Sequence, residues 1–233
     1  MAKDHASDQT SQVEILFDRV APVYDQLNQS LSFGMHRVWK RMAVLWSDAQ
    51  SGHRCLDVCC GSGDLALLLA DQVGTQGQVY GLDFSQEQLA IARRRPQPNR
   101  IQWCQGDALD LPFADGYFDA VTMGYGLRNL KNISQGLREL CRVLKPQKKA
   151  AILDFHRPSN LLMEQFQRWY LRQVVVPAAD RLGLRDEYAY LEPSIEEFPR
   201  GPEQVEVAIA AGFNNAVHYP IAGGMMGILV VTR

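Results

Sequence analysis

From residue 11 onward the chain places apolar residues at helical spacing. Ser11 and Glu14 form a capping box, and Val13, Leu16, Phe17 and Val20 follow at i, i+3, i+4 and i+7, which predicts a helical arm. A second helix is predicted with Val38, Met42, Leu45 and Trp46 on its apolar face, and with Arg37, Lys40 and Arg41 largely on others, ending before Ser51-Gly52. The pattern then shortens. Strands are predicted at 54–59, 79–84, 101–104, 118–123 and 150–155. Helices are predicted between them at 65–73, at 86–95 (capped by Ser85, with Gln88 completing a box) and at 135–144 (capped by Ser134 and stopped by Pro146). Alternation of this kind builds an α/β domain with a parallel sheet covered on both faces. It lapses over 157–199, where an amphipathic stretch at 166–176 and turn signals at Pro177, Gly183 and Pro193 predict a helical lid. A helix opened by Pro202 and closed by Gly212 restores the rhythm, and strands at 215–220 and 227–231 lie close enough in sequence to pair antiparallel. The chain therefore divides into an arm, 1–50, covering the site, and a domain, 51–233, that carries the lid.

The 233 residues suit one large domain, and 46% of them are hydrophobic, enough for a continuous core. Net charge is −2, from 24 Lys and Arg against 26 Asp and Glu, so no long-range field gathers nucleic acid. No apolar run approaches the roughly 20 residues of a spanning helix. The first eight residues carry acids and no hydrophobic stretch, unlike a signal or transit peptide, so a cytoplasmic location is expected. Cys55, Cys59, Cys60, Cys104 and Cys141 are odd in number and sit mostly in apolar runs, which predicts reduced core thiols and no metal site.

In an open parallel sheet, ligands bind beyond the carboxyl ends of the strands, so the loop after the first strand carries most weight. It reads Asp57-Val58-Cys59-Cys60-Gly61-Ser62-Gly63-Asp64. Gly61 and Gly63 permit a tight turn and close approach of a ligand to backbone, and the next helix offers free N–H groups. Gly61-x-Gly63-x-x-Ala66, with Asp83 following 20 residues after Gly63, also fits a dinucleotide fingerprint, so a nicotinamide enzyme is the first rival. Charge argues against it. Asp57 and Asp64 flank the loop and would repel a pyrophosphate, whereas S-adenosylmethionine carries an ammonium, a sulfonium and no phosphate. In that reading Asp83 suits a ribose diol, and Asp107, after the third strand, is placed to accept from an adenine amino group. A non-catalytic cofactor-binding subunit is the rival from another class.

Several segments also carry a resemblance. Residues 13–25, with Tyr24 and Asp25, and 32–40, together with Asp107-Ala108-Leu109-Asp110-Leu111-Pro112-Phe113, Gly126-Leu127-Arg128-Asn129, Val143-Leu144-Lys145-Pro146 and Tyr190-Leu191-Glu192-Pro193-Ser194-Ile195, resemble the C-methyltransferases of ubiquinone and menaquinone biosynthesis. Cys59 to Asp64, Gly81 to Ser85, Met123 to Gly126 and Ile152 to Phe155 resemble the branch of oxygenic phototrophs, cyanobacteria among them, that methylates demethylphylloquinone. The resemblance implies a class I S-adenosylmethionine-dependent methyltransferase, Rossmann-like, with strand order 3-2-1-4-5-7-6 and the last strand antiparallel. It implies cofactor contacts at Ser62, Asp83, Asp107, Ala108 and Gly124 and a prenylated quinol as substrate; Phe84, next to Asp83, is a further cofactor candidate, and Tyr24 and Asp25 are expected to close over the cofactor. Demethylmenaquinol and a ubiquinone or plastoquinone precursor remain open, as does a homodimer. Gln147-Lys148 replaces the family's usual glycine pair, so the turn into the fifth strand should be built differently.

Methylating a ring carbon from a sulfonium needs no metal but does need an electron-rich ring, hence the reduced quinol. Arg128, just past the fourth strand, has the charge to stabilise a developing oxyanion, with Asn129 as a hydrogen-bond partner. His36 has the ordinary pKa of a general base. Residues 166–176 and Met225-Met226 are apolar enough to line a lipid tail. His36-Arg37-Val38-Trp39-Lys40-Arg41 is basic and aromatic, as peripheral membrane contact requires.

Overall fold

The computed structural model describes residues 32, 34–96 and 101–233. The helix predicted at 13–20, the capping box at Ser11, and Tyr24 and Asp25 lie outside them. The first described helix is α1 (Met35–Trp46), followed by β1 (Arg54–Val58), α2 (Asp64–Val73), β2 (Gln78–Asp83), α3 (Gln86–Arg94), β3 (Ile101–Gln105) and β4 (Phe118–Gly124). Then come α4 (Ile133–Val143) and β5 (Leu144–Phe155), and four short helices: α5 (Leu161–Tyr170), α6 (Val176–Asp180), α7 (Arg185–Ala189) and α8 (Leu191–Glu197). The chain closes with α9 (Gly201–Ala210), β6 (Asn215–Ile221) and β7 (Met226–Thr232).

The strands form one sheet in the order β3-β2-β1-β4-β5-β7-β6, parallel except for β7, which runs antiparallel to both neighbours. Residues alternate between its two faces. Leu56, Val58, Leu82, Val121 and Met123 join α4 and α9 in one core, while Cys55, Val79, Ala120 and Leu153 join α1 and α2 in the other. A third, smaller core of Leu171, Val175, Ala179, Leu184, Tyr188 and Ile195 belongs to the helices after β5. Leu171 and Val175, expected along a lipid tail, thus pack within this insertion, and Met226 is buried between β7 and its neighbours.

Several expectations need correction. In α1 the buried stripe is His36, Lys40, Ala43 and Val44, at i, i+4, i+7 and i+8, continued by the C-cap Ser47, while Val38 and Leu45 face solvent. Helix α4 starts two residues earlier than predicted, capped by Asn132, whose side chain accepts the Gln135 N–H. Pro146 does not stop it. The helix ends at Val143, and Pro146 lies inside β5, where pairing with β4 jumps from Phe118↔Leu144 to Ala120↔Lys149. Within this bulge Gln147 takes φ 67 and donates its N–H to the Arg233 carbonyl at 2.7 Å. A glutamine here adopts the left-handed backbone that glycine adopts freely.

Candidate active site

Parallel strands deliver their carboxyl ends to one edge of the sheet, and there the loops after β1, β2, β3 and β4 enclose a cavity of about 340 Å3. The loop after β1 is shaped by its glycines. Gly61 has φ 53 and Gly63 φ 91, and a Cβ on Gly63 would sit 2.5 Å from the Trp103 ring. Asp83, at the end of β2, fastens this loop: one oxygen accepts the Gly61 N–H at 2.7 Å and the other the Ser85 N–H at 3.0 Å. Gly61 and Gly63 therefore serve the site through backbone shape. Asp57, Ser62, Asp83, Phe84, Asp107, Ala108 and Gly124 all line the cavity, and at Gly124 a Cβ would come within 2.7 Å of Leu65.

Asp57 is buried beneath the loop, its Oδ1 accepting from the Thr122 hydroxyl at 2.8 Å. Oδ2 is buried and closes no hydrogen bond, though the Ala66 amide lies near enough to favour its charge. Burial pushes this carboxyl up to about 7, against the opposing pull of Thr122 and of the Lys40 charge. Asp64 behaves oppositely. Burial works to raise it, but Lys40 and Arg95, each 2.6 Å from one of its oxygens, override that and hold it at about 2. The charge expected to meet a ligand cation at Asp64 is thus already met by the protein. Asp107 is exposed at the rim and accepts the Leu109 N–H at 2.8 Å.

The catalytic expectations change more. His36 is buried in α1, its Nδ1 2.8 Å from the Ser32 hydroxyl, and is not among the residues lining the cavity. Arg128 is also set behind the wall. Its guanidinium pairs with Asp154 and donates to the Ser194 hydroxyl at 3.0 Å, while its N–H donates to the other Asp154 oxygen at 3.0 Å. Both side chains are about 95% buried, at 4% and 5% exposure. A guanidinium held this way braces the turn after β4 against β5 and α8. Asn129 does reach the cavity: its Nδ2 donates to the Tyr125 carbonyl at 2.9 Å, leaving Oδ1 buried without a hydrogen bond. Tyr125, at φ 60, lines the cavity too and was not anticipated. Nor was Lys40, from α1. The cysteines are all free thiols, and burial pushes those of Cys59 and Cys60 up, so they act as packing groups.

The sequence profile of the ubiE/COQ5 methyltransferase family matches residues 3–233. The chain belongs to that family. It is 58% identical over 229 residues, 96% of this chain and 100% of that protein, to 2-phytyl-1,4-naphtoquinone methyltransferase of Trichormus variabilis. To the chloroplastic 2-phytyl-1,4-beta-naphthoquinone methyltransferase of Arabidopsis thaliana it is 51% identical over 225 residues, 94% of this chain and 86% of that protein. The fold matches a solved SAM-dependent methyltransferase of Aquifex aeolicus with a TM-score of 0.62 at 19% identity, over 89% of this chain and 96% of that one. The chain is a methyltransferase of the class I fold, and S-adenosylmethionine is its donor. The residues present fit that group. A buried carboxylate oxygen without a hydrogen bond suits an ammonium, an acid at the end of β2 suits a diol, and among the described residues the loop after β1 supplies no cation for a phosphate.

Proposed function

We propose that the chain methylates a ring carbon of a reduced 2-phytyl-1,4-naphthoquinone, forming phylloquinone in its quinol state. The observation that carries this reading is the near full-length identity, 58% and 51%, to two proteins named for that quinone. The bound donor supplies an electrophilic methyl group on sulfur. A carbon–carbon bond forms, the carbon–sulfur bond breaks to leave S-adenosylhomocysteine, and the ring carbon's proton passes to water, so the transfer is redox-neutral. In this reading Asp57 holds the donor's ammonium, Asp83 its ribose hydroxyls and Asp107 its adenine amino group, while Ser62 and Ala108 shape the walls. Leu65, Leu109 and Leu130 supply the apolar lining that a naphthalene ring needs. The Asn129 Oδ1 acceptor favours the reduced ring, because a quinol hydroxyl donates a hydrogen bond and a quinone oxygen does not.

A phytyl tail partitions into bilayers, and the enzyme is proposed to meet its substrate as a peripheral membrane protein in the cytoplasm. Among the described residues no helix is long and apolar enough to cross a membrane. Met35, Arg37, Val38, Arg41 and Leu45 form an exposed basic and apolar face on α1. Flotation with anionic liposomes tests this, and absence of binding at every ionic strength overturns it. The activity itself is tested anaerobically with labelled donor and a panel of demethylated naphthoquinols and benzoquinols. Methylation of the phytylated naphthoquinol alone or fastest is expected. Equal rates on quinone and quinol would overturn the redox requirement, and turnover confined to benzoquinols would overturn the substrate.

A further inference from the structure

Two cations from outside the loop after β1 converge on the start of α2. One carboxylate, Asp64, receives two cations, Lys40 on one oxygen and Arg95 on the other. Arg95 spends a further hydrogen bond on the Ser62 carbonyl, at 2.9 Å, and is not among the residues lining the cavity. Lys40 does line it. Its side chain is 8% exposed, its ammonium lies 5.9 Å from the Tyr125 ring centroid, and its field reaches Asp57. An ammonium has three N–H donors, and Asp64 takes one. The same cavity is lined by Asp57, one oxygen of which is buried and closes no hydrogen bond. A cation and a buried carboxylate oxygen that closes no hydrogen bond, both lining one cavity, are complementary to a free amino acid, which bears a carboxylate and an ammonium on one carbon.

We propose that Lys40 binds the α-carboxylate at the methionyl end of the donor, opposite an ammonium site at Asp57. The inference rests on S-adenosylmethionine being the donor. It makes α1, which stands outside the βα alternation, a part of the binding site and not only a cover over the sheet. Lys131, the other lysine at the cavity, is exposed, where solvent screens its charge, whereas the buried Lys40 is screened less and shares its one carboxylate with Arg95. Tyr125, in its left-handed conformation, packs on the other side of the Lys40 ammonium and limits where the carboxylate can approach.

Calorimetry with S-adenosylhomocysteine and its carboxamide, which lacks only the carboxylate charge, tests the assignment on wild type, Lys40→Met and Lys40→Gln. Glutamine keeps a donor for Asp64, so it serves where methionine perturbs folding. Wild type is expected to prefer the acid by roughly ten- to a hundredfold, the range for a hydrogen bond to a charged group. Both variants should lose that factor, binding the acid and the carboxamide with affinities within about twofold of each other. Equal affinity of wild type for the two ligands overturns the proposal. So does a preference for the acid that survives in the variants, which would hand the carboxylate to the amides at the start of α2. Failure of wild type to bind either ligand would overturn the donor assignment, and this inference with it.

Discussion

At the scale of single residues, the two groups that most distinguish this site are buried carboxylates with different partners. Asp57 stands at about 7 because burial disfavours its charge. A ligand ammonium placed against it restores the charged form, so binding at pH 6 to 7 should release a proton and affinity should rise with pH until Asp57 is ionised in the free enzyme. Calorimetric heats measured in buffers of different ionisation enthalpy report that proton directly. Asp57→Asn should abolish the buffer dependence, and a wild type without any would remove the ammonium from Asp57. Asp154 instead has its counter-ion in place. Arg128→Ala leaves that buried acid unpaired and should cost about 3–5 kcal/mol of stability, with kcat per folded molecule near wild type. A stable alanine variant whose kcat falls by roughly 10²–10³ would return the guanidinium to the reacting ring.

At the scale of elements, what repeats locally was legible and what pairs at a distance was not. The alternation of short strands and helices, Ser85 as a cap and the loop from Asp57 to Asp64 could all be read from spacing. Arg128 finds Asp154 26 residues away on the neighbouring strand, a pairing no periodicity reveals. Lys40 misleads for a different reason: a lysine in an amphipathic helix reads as solvent-facing, and its burial makes sense only beside the acids of a loop 24 residues later. Asp57, Asp64 and Asp83 converging on one loop were the available signal, since buried carboxylates call for cations. The cap of α4 is an error of another kind. Asn132 and Ser134 are both good caps, and the choice rests on which backbone leaves the helix first. Asn132→Ala should cost ~1 kcal/mol and Ser134→Ala close to nothing, measured by urea unfolding; the reverse order would restore Ser134 as the cap.

At the scale of the whole molecule, the helical insertion is tied to the sheet where β5, β7 and β6 meet, and two histidine rings pack there at a tilt. His156 donates its N–H to the Met225 carbonyl at 2.9 Å and accepts from Gln167 of α5 at 2.9 Å, and its ring lies 4.4 Å, centroid to centroid, from that of His218 on β6. Gly201 and Gly227 make room for the His218 ring, since a Cβ on Gly201 would lie 2.5 Å from it. Burial, with His156 adding to it, lowers His218 to about 4 from an ordinary 6.5, and burial lowers His156 too, helped by Arg157 and Arg200. Between those values the unfolded chain takes up more protons than the folded one, so the stability present above pH 6.5 is lost as pH falls toward 4. Asp57 works the other way, its raised value adding stability as pH falls from 7 toward 3.8, and Asp64 titrates below this window. Only a difference between proteins isolates the histidines. Urea midpoints should fall faster for wild type than for His218→Gln between pH 6.5 and 4.5, and hydrogen exchange over 157–199 should quicken before that of β1 and β4. Parallel pH profiles for the two proteins would take the histidine pair out of the acid response.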